Sequence, residues 1–167
     1  MDRLEFGSTV RGRLLRWRRI AFLVCGDWRS AEDVVQVALL RLYRHWHRIE
    51  SAGLDAYARR VIVRLAVDEA SHRRRRGEVL DGVPERPVDA VATEEVLAVR
   101  SALREIPPRQ RAVLVLRFYG DLSVAETATT LGISAGTVKS QCARGLSALR
   151  ALLSEPAAEQ REEERLG

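Results

Sequence analysis

Residues 122–150, LSVAETATTLGISAGTVKSQCARGLSALR, restrict the fold of this chain more than any other stretch. Ser123 is placed to accept from the unpaired amides of a helix start, and Glu126, three residues on, to reach back and complete a capping box. Gly132 supplies a left-handed turn, and Ser134 can cap a second helix. Along that helix Val138, Cys142, Gly145 and Leu149 fall on one inward face, while Thr137, Ser140 and Arg144 lie opposite with Lys139 at the edge. Two short helices around a glycine turn make a helix-turn-helix. Short polar side chains let such a helix sit deep in a major groove, and an arginine can fork onto a guanine edge or clamp a phosphate. An ordinary helical hairpin with a solvated polar face is the competing reading, and the paired caps and turn argue against it.

The rest of the chain reads as helical too. Sustained alternation is missing, and the Val-rich runs carry Arg or Glu at helical spacing. The expected fold class is therefore all-α, with two small helical domains joined by an acidic linker. The boundaries read as 1–76 for the first domain, 77–92 for the linker, 93–153 for the helix-turn-helix domain and 154–167 for an acidic tail. The formal net charge is +5, and it is unevenly spread. Basic residues exceed acidic ones in both domains, whereas the sign reverses in linker and tail, so each domain suits a polyanion. Lys139 stands alone among arginines, a bias that a GC-rich genome explains better than function does.

In the first domain, a helix through Leu14, Leu15 and Trp17 should end near Cys25 and Gly26. Ser30 with Asp33 reads as a capping box for a helix to about His47, with Val35, Leu39, Leu42 and Trp46 as its buried stripe. Val37 and Leu40 fall off that stripe, beside Asp33 and Gln36. This pattern fits a protein-docking surface and packing against the first helix equally well. Asp55 is expected to cap a third long helix, with Arg60 and Arg64 together on one side and four arginines, 73–76, at its end. Cations are favoured at a helix C-terminus in any case, so this run is ambiguous as a DNA contact. In the second domain Thr93 should cap a helix with Val96, Val99, Leu103 and Ile106 facing inward, and Pro107 and Pro108 should stop it and start the next. That next helix should end at Gly120.

Cys25 and Cys142 lie far apart with no metal-ligand spacing, and read as buried free thiols. His45, His47 and His72 do not converge on a helical projection, so neither catalysis, metal nor cofactor is expected. No apolar run is long enough to span a bilayer, and the N-terminus lacks the features of a secretory signal, which implies a cytoplasmic protein. The three tryptophans, Trp17, Trp28 and Trp46, read as core or domain-edge packing.

Residues 26–46, GDWRSAEDVVQVALLRLYRHW, and residues 106–150, from IPPRQRAV to the end of the helix-turn-helix, together resemble the extracytoplasmic-function sigma factors of the sigma-70 family, of the type found in GC-rich actinobacteria. The resemblance covers almost the whole chain. It implies a promoter-recognition subunit that binds core RNA polymerase through Asp33, Gln36, Val37 and Leu40. It implies capture of an unpaired base of the −10 element in the connection 48–54, with Arg60 and Arg64 on strand phosphates, and reading of the −35 element as duplex by Thr137, Lys139, Ser140 and Arg144. It also implies an anti-sigma partner. Two positions depart from the family pattern: Val37 stands where an acidic residue is common, and Arg64 about where an asparagine is common. The alternative function is a helix-turn-helix regulator that binds operators without serving as a polymerase subunit, although the first domain shows no phosphoacceptor cluster or evident ligand cavity for one.

Overall fold

The computed structural model describes residues 3–78 and 92–166, with side chains up to residue 154. Eight α-helices make up the described chain, and no strand occurs in it, as the all-α reading expects. They are α1 (Arg3–Arg11), α2 (Leu14–Cys25), α3 (Trp28–Arg44), α4 (Leu54–Arg75), α5 (Glu94–Glu105), α6 (Pro108–Leu114), α7 (Val124–Leu131) and α8 (Ala135–Leu166). The linker expectation falls largely on residues 79–91, outside the described residues.

Helices α2, α3 and α4 pack around one another through Trp17, Ile20, Val24, Val35, Leu42, Leu54, Ile62 and Val63, all nearly or fully buried. The buried positions of α4 include Ala58, Ile62, Ala66 and Ala70 at a four-residue interval, and the three alanines leave room for neighbouring helices to approach closely. Gly26 closes α2, its amide donating to the Phe22 carbonyl at 2.7 Å.

Two expected caps are replaced by other arrangements. Asp27, not Ser30, starts α3: its carboxylate accepts from the Ser30 amide at 2.9 Å. Ser30 is instead buried in the first turn, where its hydroxyl accepts from Arg73. Asp55 lies one residue inside α4, whose N-cap is Gly53. Its oxygens accept from Arg13 Nε at 3.1 Å and Trp17 Nε1 at 3.3 Å, tying α4 to the start of α2. In both cases a tertiary donor outcompetes the local amide. Helix α3 also stops at Arg44, short of His47, and short 3-10 turns at Trp46–Arg48 and Ser51–Gly53 carry the chain to α4.

Thr93 caps α5 as expected, accepting from the Val96 amide at 3.3 Å, and Pro108 opens α6. Of the four residues expected to face inward on α5, Leu103 and Ile106 are buried, but Val96 and Val99 are 42% and 37% exposed. Of this stripe, Leu103 and Ile106 join the cluster that Cys142, Leu146 and Leu149 of α8 pack against. Helix α6 relaxes into a π-turn at Val115–Tyr119, where the Gly120 amide reaches back to the Val115 carbonyl at 2.9 Å. The wider turn leaves Phe118 61% exposed while Val115 and Leu116 stay buried.

The two halves share a core. Ala112, Val115, Leu116 and Leu122 join the cluster formed by α2, α3 and α4. A second, smaller cluster of Leu103, Ile106 and Leu114 takes Cys142, Leu146 and Leu149 of α8 against it.

Candidate nucleic-acid interface

The helix-turn-helix is α7, the Gly132 turn and the first part of α8. Its capping box is complete: Ser123 Oγ accepts from the Glu126 amide at 3.0 Å, and Glu126 Oε1 accepts from the Ser123 amide at 3.1 Å. These bonds hold the Glu126 carboxyl below its ordinary pKa. Buried Thr127 and Thr130 satisfy their hydroxyls on the carbonyls of Ser123 and Glu126, at 2.8 and 2.7 Å. Gly132 adopts φ 66°, ψ 38°, a conformation that costs an L side chain free energy, and turns the chain into α8. Ser134 Oγ accepts from the Thr137 amide at 3.1 Å, completing the second cap.

On α8, Val138 is fully buried and Gly145 lies against α6, where an added Cβ would sit 3.0 Å from Leu114 Cδ1. A larger residue would push the reader helix off its support. Lys139, Ser140 and Arg144 are exposed on the opposite side, as the helical projection requires. Ser140 donates to the Thr137 carbonyl at 3.1 Å. Thr137 is only half-exposed, because it lines a cleft of about 460 Å³ shared with Gln141, Ile133, Arg64, Val67 and Asp68.

In the first domain, Arg60 is exposed with its guanidinium 6.0 Å from the centre of the Tyr57 ring. Arg64, one turn further on, is also exposed, and donates from Nε to the Thr130 carbonyl at 3.1 Å. Of the arginine run, Arg73 turns inward to Asp27 and Ser30, while Arg74, Arg75 and Arg76 remain exposed. Burial would raise the Asp27 pKa, but the Ser30 amide and the Arg73 guanidinium outweigh it and hold the carboxyl below its ordinary value. On α3, Asp33 and Gln36 are exposed, and Val37 and Leu40 beside them are 41% and 59% exposed. Those four residues form a mixed polar and apolar face that is exposed among the described residues.

One residue escaped the sequence reading. Arg111 of α6 is 4% exposed and donates to the Val24 carbonyl at 2.6 Å, the Ile106 carbonyl at 2.9 Å and the Arg104 carbonyl at 3.0 Å. Its burial lowers its pKa to about 10, which leaves it charged at neutral pH. The C-terminal ends of α2 and α5 converge on this cation, and the negative ends of two helix dipoles take the place of a carboxylate. The sequence context, an arginine three residues after a proline helix start, carries no burial signal.

His45, His47 and His72 are all exposed, and among the described residues no group of His, Cys, Asp or Glu is arranged to hold a metal. Cys25 is buried, with its thiol pushed up to about 12 by burial and the nearby Asp27, and Cys142 is half-buried; both are free. No helix among the described residues is long and apolar enough to cross a membrane.

A four-helix unit, α1 to α4, with an exposed face on α3, followed by a second four-helix unit that presents a capped helix-turn-helix, defines a two-part helix-turn-helix protein. Residues 10–76 match sigma-70 region 2, and residues 97–149 match sigma-70 region 4. The chain is 37% identical over 150 residues to the RNA polymerase sigma-E factor of Streptomyces coelicolor, covering 88% of this chain and 85% of that one. It is 32% identical over 158 residues to the ECF RNA polymerase sigma factor SigM of Mycobacterium tuberculosis, covering 91% and 79%. Its fold is similar to that of the sigma factor RpoE from Bartonella quintana, solved in complex with the anti-sigma factor NepR, with a TM-score of 0.74 at 22% identity over 90% of this chain and 97% of that one. The chain belongs to the extracytoplasmic-function sigma factors of the sigma-70 family.

Proposed function

We propose that this chain binds core RNA polymerase and directs initiation at promoters bearing matched −10 and −35 elements. The observation that carries this reading is the joint presence, in one chain similar to sigma factors over most of its length, of an uncovered face on α3 and an outward reader face on α8. Asp33, Gln36, Val37 and Leu40 dock the polymerase, the two apolar residues supplying buried area and the polar pair fixing orientation. The domains divide at 1–76 and 93–153, with 77–92 as linker and 154–167 as an acidic tail.

Promoter reading follows from the same division. Lys139 and Arg144 supply charge for the −35 duplex, while Thr137 and Ser140 are short enough to let the helix approach base edges. Arg60 and Arg64 neutralise phosphates of the separated −10 strand, next to the turns at Trp46–Arg48 and Ser51–Gly53 where a base that has left the stack is tested. The chain contributes binding and positioning, no bond-making group of its own, and it works in the cytoplasm where polymerase does. The family resemblance extends the reading to an anti-sigma partner.

The test is transcription of fragmented genomic DNA by sigma-free core polymerase from a GC-rich bacterium, with and without the chain. New RNA starts that share two upstream elements are expected. Strong, polymerase-independent duplex binding with no new starts would instead support the operator-binding alternative.

A further inference from the structure

Arg64 sits where two demands meet. It belongs to the face of α4 that carries Arg60, yet its Nε donates to the Thr130 carbonyl near the end of α7. The second arm of its guanidinium lies over Gly132, so that a Cβ added there would be 3.0 Å from Nη2. The turn glycine thus serves two ends: it permits the left-handed bend and leaves room for the arginine. Thr130 is near a helix C-terminus, where carbonyls lack helical partners and attract cations. The start of the reader helix faces the same way. Thr137 and Gln141 line the cleft opposite Arg64, Val67 and Asp68, and about 460 Å³ is far too small to admit a duplex some 20 Å across.

We propose that Arg64 is a latch whose two ligands exclude each other: the Thr130 carbonyl in a closed chain, and a phosphate of the separated promoter strand in an open one. This rests on the assignment of α4 to strand contact given above. In the closed chain Nε spends its one hydrogen on the carbonyl and Nη2 is held over Gly132, so a phosphate that takes this Nε–Nη2 edge as a bidentate fork has to displace the carbonyl. A phosphate is the stronger acceptor, since the hydrogen bond becomes charge-assisted at both ends. Capture of the strand by the first domain therefore weakens the hold on the helix-turn-helix and frees Thr137 for duplex DNA. Coupling of this kind is reciprocal, so a chain held closed must bind single strands less well.

The test uses the full chain with Cys142→Ser and dyes on cysteines placed at exposed Ser8 and Ser154; the buried Cys25, with its raised pKa, stays unlabelled at neutral pH. The probe is a twenty-nucleotide single-stranded DNA. Energy transfer should fall when the strand is added, and should already be reduced in Arg64→Ala, with at most half the further response. In a second variant, cysteines at Val67 and Ile133 are joined across the cleft by a short cleavable reagent. The locked chain should bind the strand at least tenfold more weakly, with affinity restored on cleavage. Equal affinity of locked and released chains would overturn the exclusion, and transfer unchanged in Arg64→Ala would overturn the latch. If the released chain binds no strand at all, the assignment of α4 to strand contact fails, and the proposal fails with it while the transcription test above still judges the sigma reading on its own.

Discussion

Arg111 on α6 and Val24 on α2 are joined by a hydrogen bond of 2.6 Å that crosses from one half of the chain to the other. The donor is a buried cation and the acceptor a carbonyl at the end of a helix, so neither can turn to water while the halves stay packed. Removing the arginine strands three carbonyls at once. Arg111→Ala should destabilise the full chain by about 3 kcal/mol in urea unfolding. Arg111→Lys should recover only part of this, because one ammonium cannot span the fork of a planar guanidinium.

The pair of Asp27 and Arg73 makes a prediction in acid. Asp27 has its pKa lowered in the folded chain, so its contribution is present above the ordinary carboxylate pKa of about 4 and is lost as pH falls through the folded value. Asp27→Asn should cost about 2 kcal/mol at neutral pH by breaking charged hydrogen bonds to Arg73. Its stability should then fall less steeply than that of the natural chain between pH 5 and the acid limit, on the order of one titrating group less in the slope. Thermal unfolding across that range measures both.

On the reader helix, Arg144→Ala should weaken binding to the preferred −35 duplex by about 1–3 kcal/mol and relax preference at one base position. Competition gel shifts against point-substituted duplexes separate the two roles of an arginine. A loss that is equal on all sequences would mark Arg144 as a phosphate anchor.

For the α3 face, Gln36→Ala combined with Leu40→Ala should lower affinity for core polymerase at least tenfold, while unfolding stability stays within about 0.5 kcal/mol, since both side chains are exposed. Fluorescence anisotropy with labelled chain gives the first quantity and urea unfolding the second. Unaltered polymerase affinity would remove the docking assignment.

The legible parts of the fold were those held by local chemistry. The Ser123–Glu126 box, the Gly132 turn, the Ser134 and Thr93 caps and the Pro108 start all depend on residues a few positions apart, and all are present. Ser30 and Asp55 read as caps by the same logic and are not, because Arg73, Arg13 and Trp17 arrive from distant positions as donors. Helix α1 carries little apolar periodicity and was not anticipated. The exposure of Lys139, Ser140 and Arg144 follows from helical projection, whereas the pattern around Asp33 and Gln36 left Val37 and Leu40 equally suited to packing against the first helix, and only the fold shows them exposed. That Arg64 would face Thr130 does not, since it depends on how two units pack, which no spacing within either unit encodes.

Ala112, Val115, Leu116 and Leu122 belong to the second unit by chain position and to the first unit's core by burial. Parting the halves turns these residues toward solvent, and the free energy of opening is set chiefly by that apolar surface, with the polar bonds adding direction. A strand held by Arg64 can loosen the contact between α4 and the helix-turn-helix, but parting the shared core as well requires oily surface in exchange, which a large protein assembly offers and a nucleic acid does not. A chain opened without such a cover would be adhesive toward its own copies. The closed form is thus its own chaperone, keeping the protein dispersed during the interval between synthesis and engagement.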